Sequence, residues 1–317
     1  MQRRKLGRTG FEVAPLALGG NVFGWTADEP TSFRILDAFV DAGFNLVDTA
    51  NSYSRWATGH TGGESETVIG HWIGRRGRHD DVIIATKVGS DMGLGYKCLR
   101  ADHIVREVEE SLRRLNVDVI DLYQSHWDDD KTPLDETLEA YARLIRQGKV
   151  KAIGASNHSP ERLAQALEIS KRHGWPRYET LQPVYNLYER SVFEGPLRDL
   201  CLREGVGVIS YYALAAGFLT GKYRSEADYG KSPRGGGMKK YLNARGLRIL
   251  GALDDVAARV GATPAQVAIA WLIAQPGVTA PIASATSVAQ LEQLVAATHL
   301  TLDGEALQAL DTASAGG

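Results

Sequence analysis

Phe44-Asn-Leu-Val-Asp48-Thr-Ala-Asn-Ser-Tyr53, Val82-Ile-Ile-Ala-Thr-Lys87 and Val119-Ile-Asp-Leu-Tyr-Gln-Ser-His126 are three strand-like runs, and ionisable side chains stand at or just past the downstream end of each. From Asp48 to Lys87, and again from Lys87 to His126, the interval is 39 residues. A strand, a helix and two loops fill that length, so the polar groups fall at one phase of a repeating unit. In a parallel barrel, equal phase means one rim, where reactive groups from different strands converge.

The pattern extends in both directions. Strand candidates are Pro15–Gly19, Phe44–Asp48, Val82–Lys87, Val119–Ser125, Val150–Ser156, Thr180–Pro183, Val206–Tyr211 and Val278–Ala283. They are short and mostly apolar throughout, as strands covered on both faces should be. Amphipathic helices lie between them: Ile104, Val108, Leu112 and Leu115 recur at helical spacing, as do Leu134, Leu138, Tyr141 and Ile145. Thr132-Pro133, Ser159-Pro160 and Thr263-Pro264 each place a capping hydroxyl before a proline at the first helical position. Gln2–Lys5 and Phe11–Ala14 flank the turn-like Arg8-Thr9-Gly10, which predicts a hairpin ahead of the first repeat. Eight strand–helix repeats predict an α/β fold, an eight-stranded (β/α)8 TIM barrel, over a single domain spanning 1–317. A doubly wound sheet competes, but Gly19-Gly20-Asn21-Val22-Phe23-Gly24 lacks the Gly-x-Gly-x-x-Gly turn that layout carries. Residues 224–245, with Gly-Lys-Ser-Pro-Arg-Gly-Gly-Gly at 230–237, break the regularity. A loop this long, following the seventh strand, reads as a lid over the same rim or as a partly disordered segment.

Composition narrows the class. A 44% apolar, 23% charged chain of 317 residues has an ordinary globular core, and a net charge of −2 argues against nucleic-acid and anionic-membrane surfaces. Two cysteines, Cys98 and Cys201, fit neither a disulfide framework nor a metal motif. No apolar run reaches the length of a membrane helix, and the basic N-terminus lacks the apolar stretch of a signal peptide, so a cytoplasmic location is expected. Asp128-Asp129-Asp130 has no His or Cys partner, and no metal is expected.

A phenol titrates near ~10 and is a weak acid at neutral pH. An adjacent ammonium (Lys87) favours the phenolate of Tyr53, and a carboxylate (Asp48) holds that ammonium in place. His126 adds a donor that can orient an oxygen. Carbonyl reduction needs such a set: a proton goes to oxygen while a hydride reaches carbon, and the hydride requires a cofactor. Taken singly, an Asp or Lys at a strand end is more often a cap or a solvated loop residue.

Several motifs resemble those of the aldo-keto reductases: Gly43–Tyr53, Ala85-Thr-Lys87, Asp121-Leu-Tyr-Gln-Ser-His126 and Gly154-Ala-Ser-Asn157. The likeness runs from the Arg3–Gly10 opening to Leu302–Asp311. It implies a barrel closed at the bottom by the hairpin, and a nicotinamide cofactor bound without a Rossmann domain. It implies a catalytic tetrad of Asp48, Tyr53, Lys87 and His126, with the tyrosine as general acid. Ser156, Asn157 and Gln182 match contacts to the nicotinamide carboxamide, and Tyr211 matches the ring that stacks under it. Further cofactor contacts fall at Asn21, Asp48, Leu214, Gly217, Lys222, Ser284, Thr286 and Gln290. Two departures stand out: Tyr212-Ala213 replaces the usual Ser-Pro, and no cation lies in Ile282–Leu294 where the 2′-phosphate of NADPH would sit. NADPH is the expected cofactor with NADH possible, while Ser287 with Gln290 equally makes a capping box.

Trp25, Trp56 and Trp127 fall on segments expected at the rim and outline an apolar funnel for a small-molecule carbonyl substrate. Specificity is assigned to the 54–63 and 215–245 loops. The favoured reading is an NADPH-dependent reductase of aldehydes or ketones, with the reverse direction open. A regulatory barrel resembling the potassium-channel β-subunits is disfavoured by His126, where those relatives tend to carry Asn. A carboxylate-pair hydrolase lacks its second acid.

Overall fold

The computed structural model describes residues 2–316. A hairpin of β1 (Arg4–Lys5) and β2 (Glu12–Val13) precedes eight strands: β3 (Ala17–Gly19), β4 (Leu46–Asp48), β5 (Ile83–Val88), β6 (Ile120–Ser125), β7 (Val150–Ser156), β8 (Tyr178–Gln182), β9 (Gly207–Val208) and β10 (Ile282–Ala283). Helices are α1 (Glu29–Asp41), α2 (Glu64–Arg76), α3 (Ala101–Leu115), α4 (Leu134–Arg146), α5 (Pro160–His173), α6 (Pro196–Glu204), α7 (Ala244–Val260), α8 (Pro264–Ala274), α9 (Val288–Ala297) and α10 (Gly304–Ser314). The eight strands are all parallel, in the order β10-β3-β4-β5-β6-β7-β8-β9. Backbone bonds join the two ends: Thr279 donates to Val208 O at 2.8 Å and Ile282 to Ser210 O at 2.7 Å. The fold is the expected (β/α)8 barrel.

Period-two alternation explains where the polar groups lie. Leu46, Ile83, Ala85, Leu122 and Ala152 point inward and form one core, while Val47, Ile84, Tyr123 and Ile153 pack outward with the helices. The next inward positions along the strands are Asp48, Lys87 and Gln124, with Lys87 and Gln124 in register. The barrel is therefore dry at the bottom and polar near its top.

The hairpin seals that dry end. Leu6 and Val13 are fully buried against the inner core, each contributing about 1.5–3 kcal/mol. Arg4 donates to Val278 O at 3.0 Å and Ile273 O at 3.0 Å, and Asn45 Nδ2 donates to Glu12 O at 2.9 Å. Gly7, at φ 57°, has no room for a side chain, since a Cβ there would lie 2.1 Å from Glu179 O.

α3 buries its expected stripe, and α4 buries Leu134, Leu138 and Tyr141 with Ile145 half-buried at the edge of the core. Ser159 caps α5, and Thr263 with Gln266 makes a full capping box on α8. Thr132 does otherwise. α4 starts after Pro133, which stays extended at ψ 135°, and the Thr132 hydroxyl donates to Asp129 Oδ2 at 2.7 Å. That carboxylate also accepts from Leu99 N and Lys131 N, so it gathers the turn that precedes the proline.

β9 and β10 are shorter than the runs that mark them, because their outer residues bond singly to neighbours rather than in a ladder. The irregular segment after β9 is ordered as three 3-10 turns, Ala215–Thr220, Glu226–Lys231 and Gly235–Lys240. Among the described residues no single helix is long and apolar enough to cross a membrane; α7 and α8 have the combined length but are bent by 94°.

Candidate active site

Three strand ends and one loop bring four side chains together. Lys87, fully buried on β5, donates to Asp48 Oδ2 at 2.8 Å, Thr49 O at 2.9 Å and the Tyr53 hydroxyl at 2.6 Å. All three ammonium protons are committed. Tyr53 OH lies 3.0 Å from Asp48 Oδ2, and Gln182 Nε2 donates to Asp48 Oδ1 at 2.9 Å from across the barrel. The carboxylate is thus fixed from both sides. Behind the wall, Glu66 accepts from Thr86 and from Arg114 Nε, and its charge also favours the ammonium of Lys87.

His126 follows β6, with its ring 5.9 Å from that of Tyr53. Its Nδ1 lies 2.9 Å from Ser90 Oγ and 3.4 Å from Ser52 Oγ. When Ser90 donates, Nε2 carries the proton and has no hydrogen-bond partner among the described residues. Burial, and then the charges of Lys87 and Lys97, push the imidazole well below its ordinary value, so the ring is neutral.

The phenol departs from the sequence reading, in which the ammonium pulls its pKa down. Burial and the Asp48 carboxylate hold Tyr53 well above the usual tyrosine value. Burial also lowers Lys87, against the pull of Asp48. The sequence places an ammonium beside the phenol but does not disclose the carboxylate on the same oxygen or the loss of water, and those two outweigh it. At rest the proton stays on Tyr53.

Beside this group lies a second network. Ser156 Oγ donates to Gln182 O at 2.8 Å, Asn157 Nδ2 to His126 O at 2.9 Å, and Tyr211 OH to Asn157 Oδ1 at 2.7 Å. Asn157 is left-handed at φ 57°. Tyr212, Ala215, Ala216 and Gly217 all have positive φ, and the Lys222 ammonium would lie 3.5 Å from a Cβ on Gly217. Lys222 has no carboxylate within 4.0 Å among the described residues. On the opposite side Ser284 Oγ bonds Asn21 Oδ1, linking β10 to the turn after β3.

The chain belongs to the aldo/keto reductase family. The family's sequence model matches residues 15–315. The chain is 37% identical to the uncharacterized oxidoreductase YrpG of Bacillus subtilis, covering 98% of this chain and 95% of that protein. It is 32% identical to the protein tas of Escherichia coli (strain K12), covering 98% and 97%, and 32% identical to the L-glyceraldehyde 3-phosphate reductase of Escherichia coli O157:H7, covering 98% and 92%. As an aldo/keto reductase it is an NAD(P)H-dependent oxidoreductase acting on small molecules.

The groove of this aldo/keto reductase could hold a nicotinamide dinucleotide. Tyr211 offers a half-buried ring beside Asn157, Gly217 lets a ligand come close because it has no side chain, and the unpaired Lys222 ammonium beside it offers donors to phosphate, while the Gly217 N–H is already given to Leu214 O at 2.8 Å. Leu214 opens this loop. At the far end the groups are already engaged: Thr286 N and Oγ1 both bond Gln290 Oε1, at 2.9 and 3.1 Å, and Ser287 Oγ accepts from Gln290 N at 3.2 Å. Half of the expected capping box is present, with the Gln290 side chain returning to Thr286 rather than Ser287.

The three tryptophans do converge. Trp25 and Trp56 meet edge-on at 5.6 Å, Trp56 lies 6.0 Å from Tyr53, and Trp127 stacks on His126 at 6.0 Å. Asp128 pairs with Arg162 at 2.8 Å. Thr49 and Ser52, within the Gly43–Tyr53 motif, also belong to this surround, as do Ser90, Lys97 and Arg234, which carry no motif in the sequence. Arg234 comes from the 224–245 loop expected over this rim, while Lys97 comes from a loop whose path no local pattern records.

Proposed function

We propose that this aldo/keto reductase reduces aldehydes or ketones to alcohols with NADPH as hydride donor, and that Tyr53 is the general acid. The 2.6 Å contact between Lys87 Nζ and the Tyr53 hydroxyl, inside a pair anchored by Asp48, carries this reading. When bound, the cofactor supplies the hydride that reaches the carbonyl carbon. The protein's own groups manage the oxygen. Tyr53 releases its proton to the carbonyl oxygen as charge develops there, and the ammonium at 2.6 Å stabilises the phenolate left behind. Neutral His126, oriented by Ser90, donates Nε2–H to the same oxygen. Asp48 and Gln182 keep Lys87 in place. Ser156, Asn157 and Gln182 would hold the carboxamide, Tyr211 the ring face, and Gly217 with Lys222 the phosphates, with Asn21 and Ser284 at the edge of the groove.

The absence of a cation among residues 282–294 favours a modest preference for NADPH over NADH. A panel of simple aldehydes and ketones tests the reading, with cofactor oxidation followed by absorbance. Turnover of some of them is expected. Failure to oxidise either dinucleotide with any carbonyl compound, while cofactor still binds, would leave a binding barrel instead.

A further inference from the structure

Lys87 rests on two backbone segments, and the first turn of α2 supports both. One of its protons goes to Thr49 O at 2.9 Å. The Thr49 hydroxyl lies 2.8 Å from Ser65 Oγ, which donates to Gly20 O at 2.7 Å. On the helix side of the sheet, Thr86, the residue before Lys87, donates to Glu66 Oε1 at 2.5 Å. Ser65 and Glu66 are both fully buried. Arg114 of α3 donates Nε to Glu66 Oε2 at 2.7 Å. It reaches that far because Gly63 is bare: a Cβ there would lie 2.5 Å from Arg114 Cδ.

A carboxylate wholly out of water is costly, and a buried ion pair often adds nothing to stability over apolar side chains of the same volume. The rest of this wall is built without charge, from Val68, Ile69, Trp72 and Ile73 of α2 against Val47 and Ile84 of the sheet. Packing therefore gives no reason for an acid at Glu66. Its place beside Lys87 does. Burial lowers the Lys87 ammonium, and the two carboxylates that oppose this are Asp48 and Glu66. They are not equivalent. Asp48 also touches the phenol, and after burial it is the main cause that raises Tyr53, so it resists the release of the proton. Glu66 stands behind the sheet and makes no contact with the phenol.

Resting on the reductase reading, we infer that Glu66 is a positioning residue for the reaction: from behind the sheet it keeps Lys87 charged and aimed at the Tyr53 hydroxyl while the phenol gives up its proton. Thr86 carries the mechanical part, tying the β5 backbone to the carboxylate. The field carries the rest, since a charge out of water is little screened. The other titratable and charged groups here are Asp48, Tyr53 and neutral His126 on the rim side, and Arg114, Tyr123 and Glu107 behind the sheet.

The test is the pH profile of kcat/KM, with whichever of butanal, benzaldehyde and glyceraldehyde the wild type reduces fastest. At high pH activity falls as the Lys87–Tyr53 pair loses a proton. A negative charge nearby opposes that loss, so removing it moves the fall to lower pH. In Glu66→Gln, which keeps the shape, the ratio of kcat/KM at about pH 9.5 to that at about pH 7 drops about three- to tenfold. Glu66→Asp keeps the charge and leaves the ratio near the wild-type value. Arg114→Gln removes the counter-charge and shifts the fall to higher pH. That opposite sign is not produced by loosened packing, and it reads the field even where Glu66→Gln fails to fold. A basic limb that neither Glu66→Gln nor Arg114→Gln moves, or that both move the same way, overturns the inference and leaves the reductase reading intact. A wild type that reduces none of the three compounds overturns the reductase reading, and this inference with it.

Discussion

Lys87 approaches the Tyr53 hydroxyl at 2.6 Å, closer than it approaches its own counter-ion Asp48 at 2.8 Å. The ammonium thus faces the oxygen that becomes anionic once the proton leaves, and no reorganisation is needed at that moment.

Tyr53→Phe removes that proton and keeps the ring. kcat is expected to fall by about a hundred- to ten-thousandfold, with cofactor affinity changed less than about threefold. Steady-state kinetics and fluorescence titration with NADPH measure the two. Turnover within tenfold of wild type would sink the tyrosine-acid assignment.

Asp48→Asn leaves Lys87 buried without its counter-charge. Breaking a buried pair from one side costs about 3–5 kcal/mol. Urea denaturation should show that loss, and the double variant Asp48→Asn, Lys87→Met should regain part of it. Equal stability of wild type and Asp48→Asn would mean the pair is solvated.

For cofactor choice, NADPH is expected to bind tighter than NADH by less than about a hundredfold, because Thr286 and Ser287 offer neutral donors only. Lys222→Gln should weaken both dinucleotides, since its ammonium stands beside Gly217. Titrations of the free protein decide this. A larger preference, lost in Lys222→Gln, would move the 2′-phosphate contact to that lysine.

His103, His126 and His158 are each pushed below the ordinary histidine value, by burial first. Above about pH 6.5 folded and unfolded forms are both neutral there, and stability is unaffected. Below it the unfolded chain takes up protons that the fold refuses, so stability falls as pH falls, by at most about 1.4 kcal/mol per pH unit for each histidine. Thermal melts at about pH 7.5 and 5.5 should show a lower Tm at the acid pH. An unchanged Tm would count against neutral burial of these rings.

Much of this was open to local reading for a simple reason. Inward positions repeat every second residue, so a strand whose last inward residue is polar shows an apolar run ending on a charge, as at Asp48 and Lys87. Helix starts are legible where a hydroxyl and a proline act within one turn, as at Ser159 and Thr263. Thr132 fails because a residue three places away, Asp129, competes for its hydroxyl. β9 and β10 are over-read because β-branched and apolar residues extend beyond the ladder, past Val208 in β9 and ahead of Ile282 in β10.

The sequence by itself determined the barrel and the rim residues, because both follow from periodicity within a strand or helix and from motifs carried on contiguous residues. Tertiary structure alone decided how those residues behave. Gln182 reaches Asp48 across 134 residues, Ser90 sets the tautomer of His126, and Arg234 arrives over Trp25 from a loop. The direction of the Tyr53 shift belongs here too. It depends on how much water the fold removes and on which charge ends nearest the phenol, and neither quantity exists until the chain has closed around them.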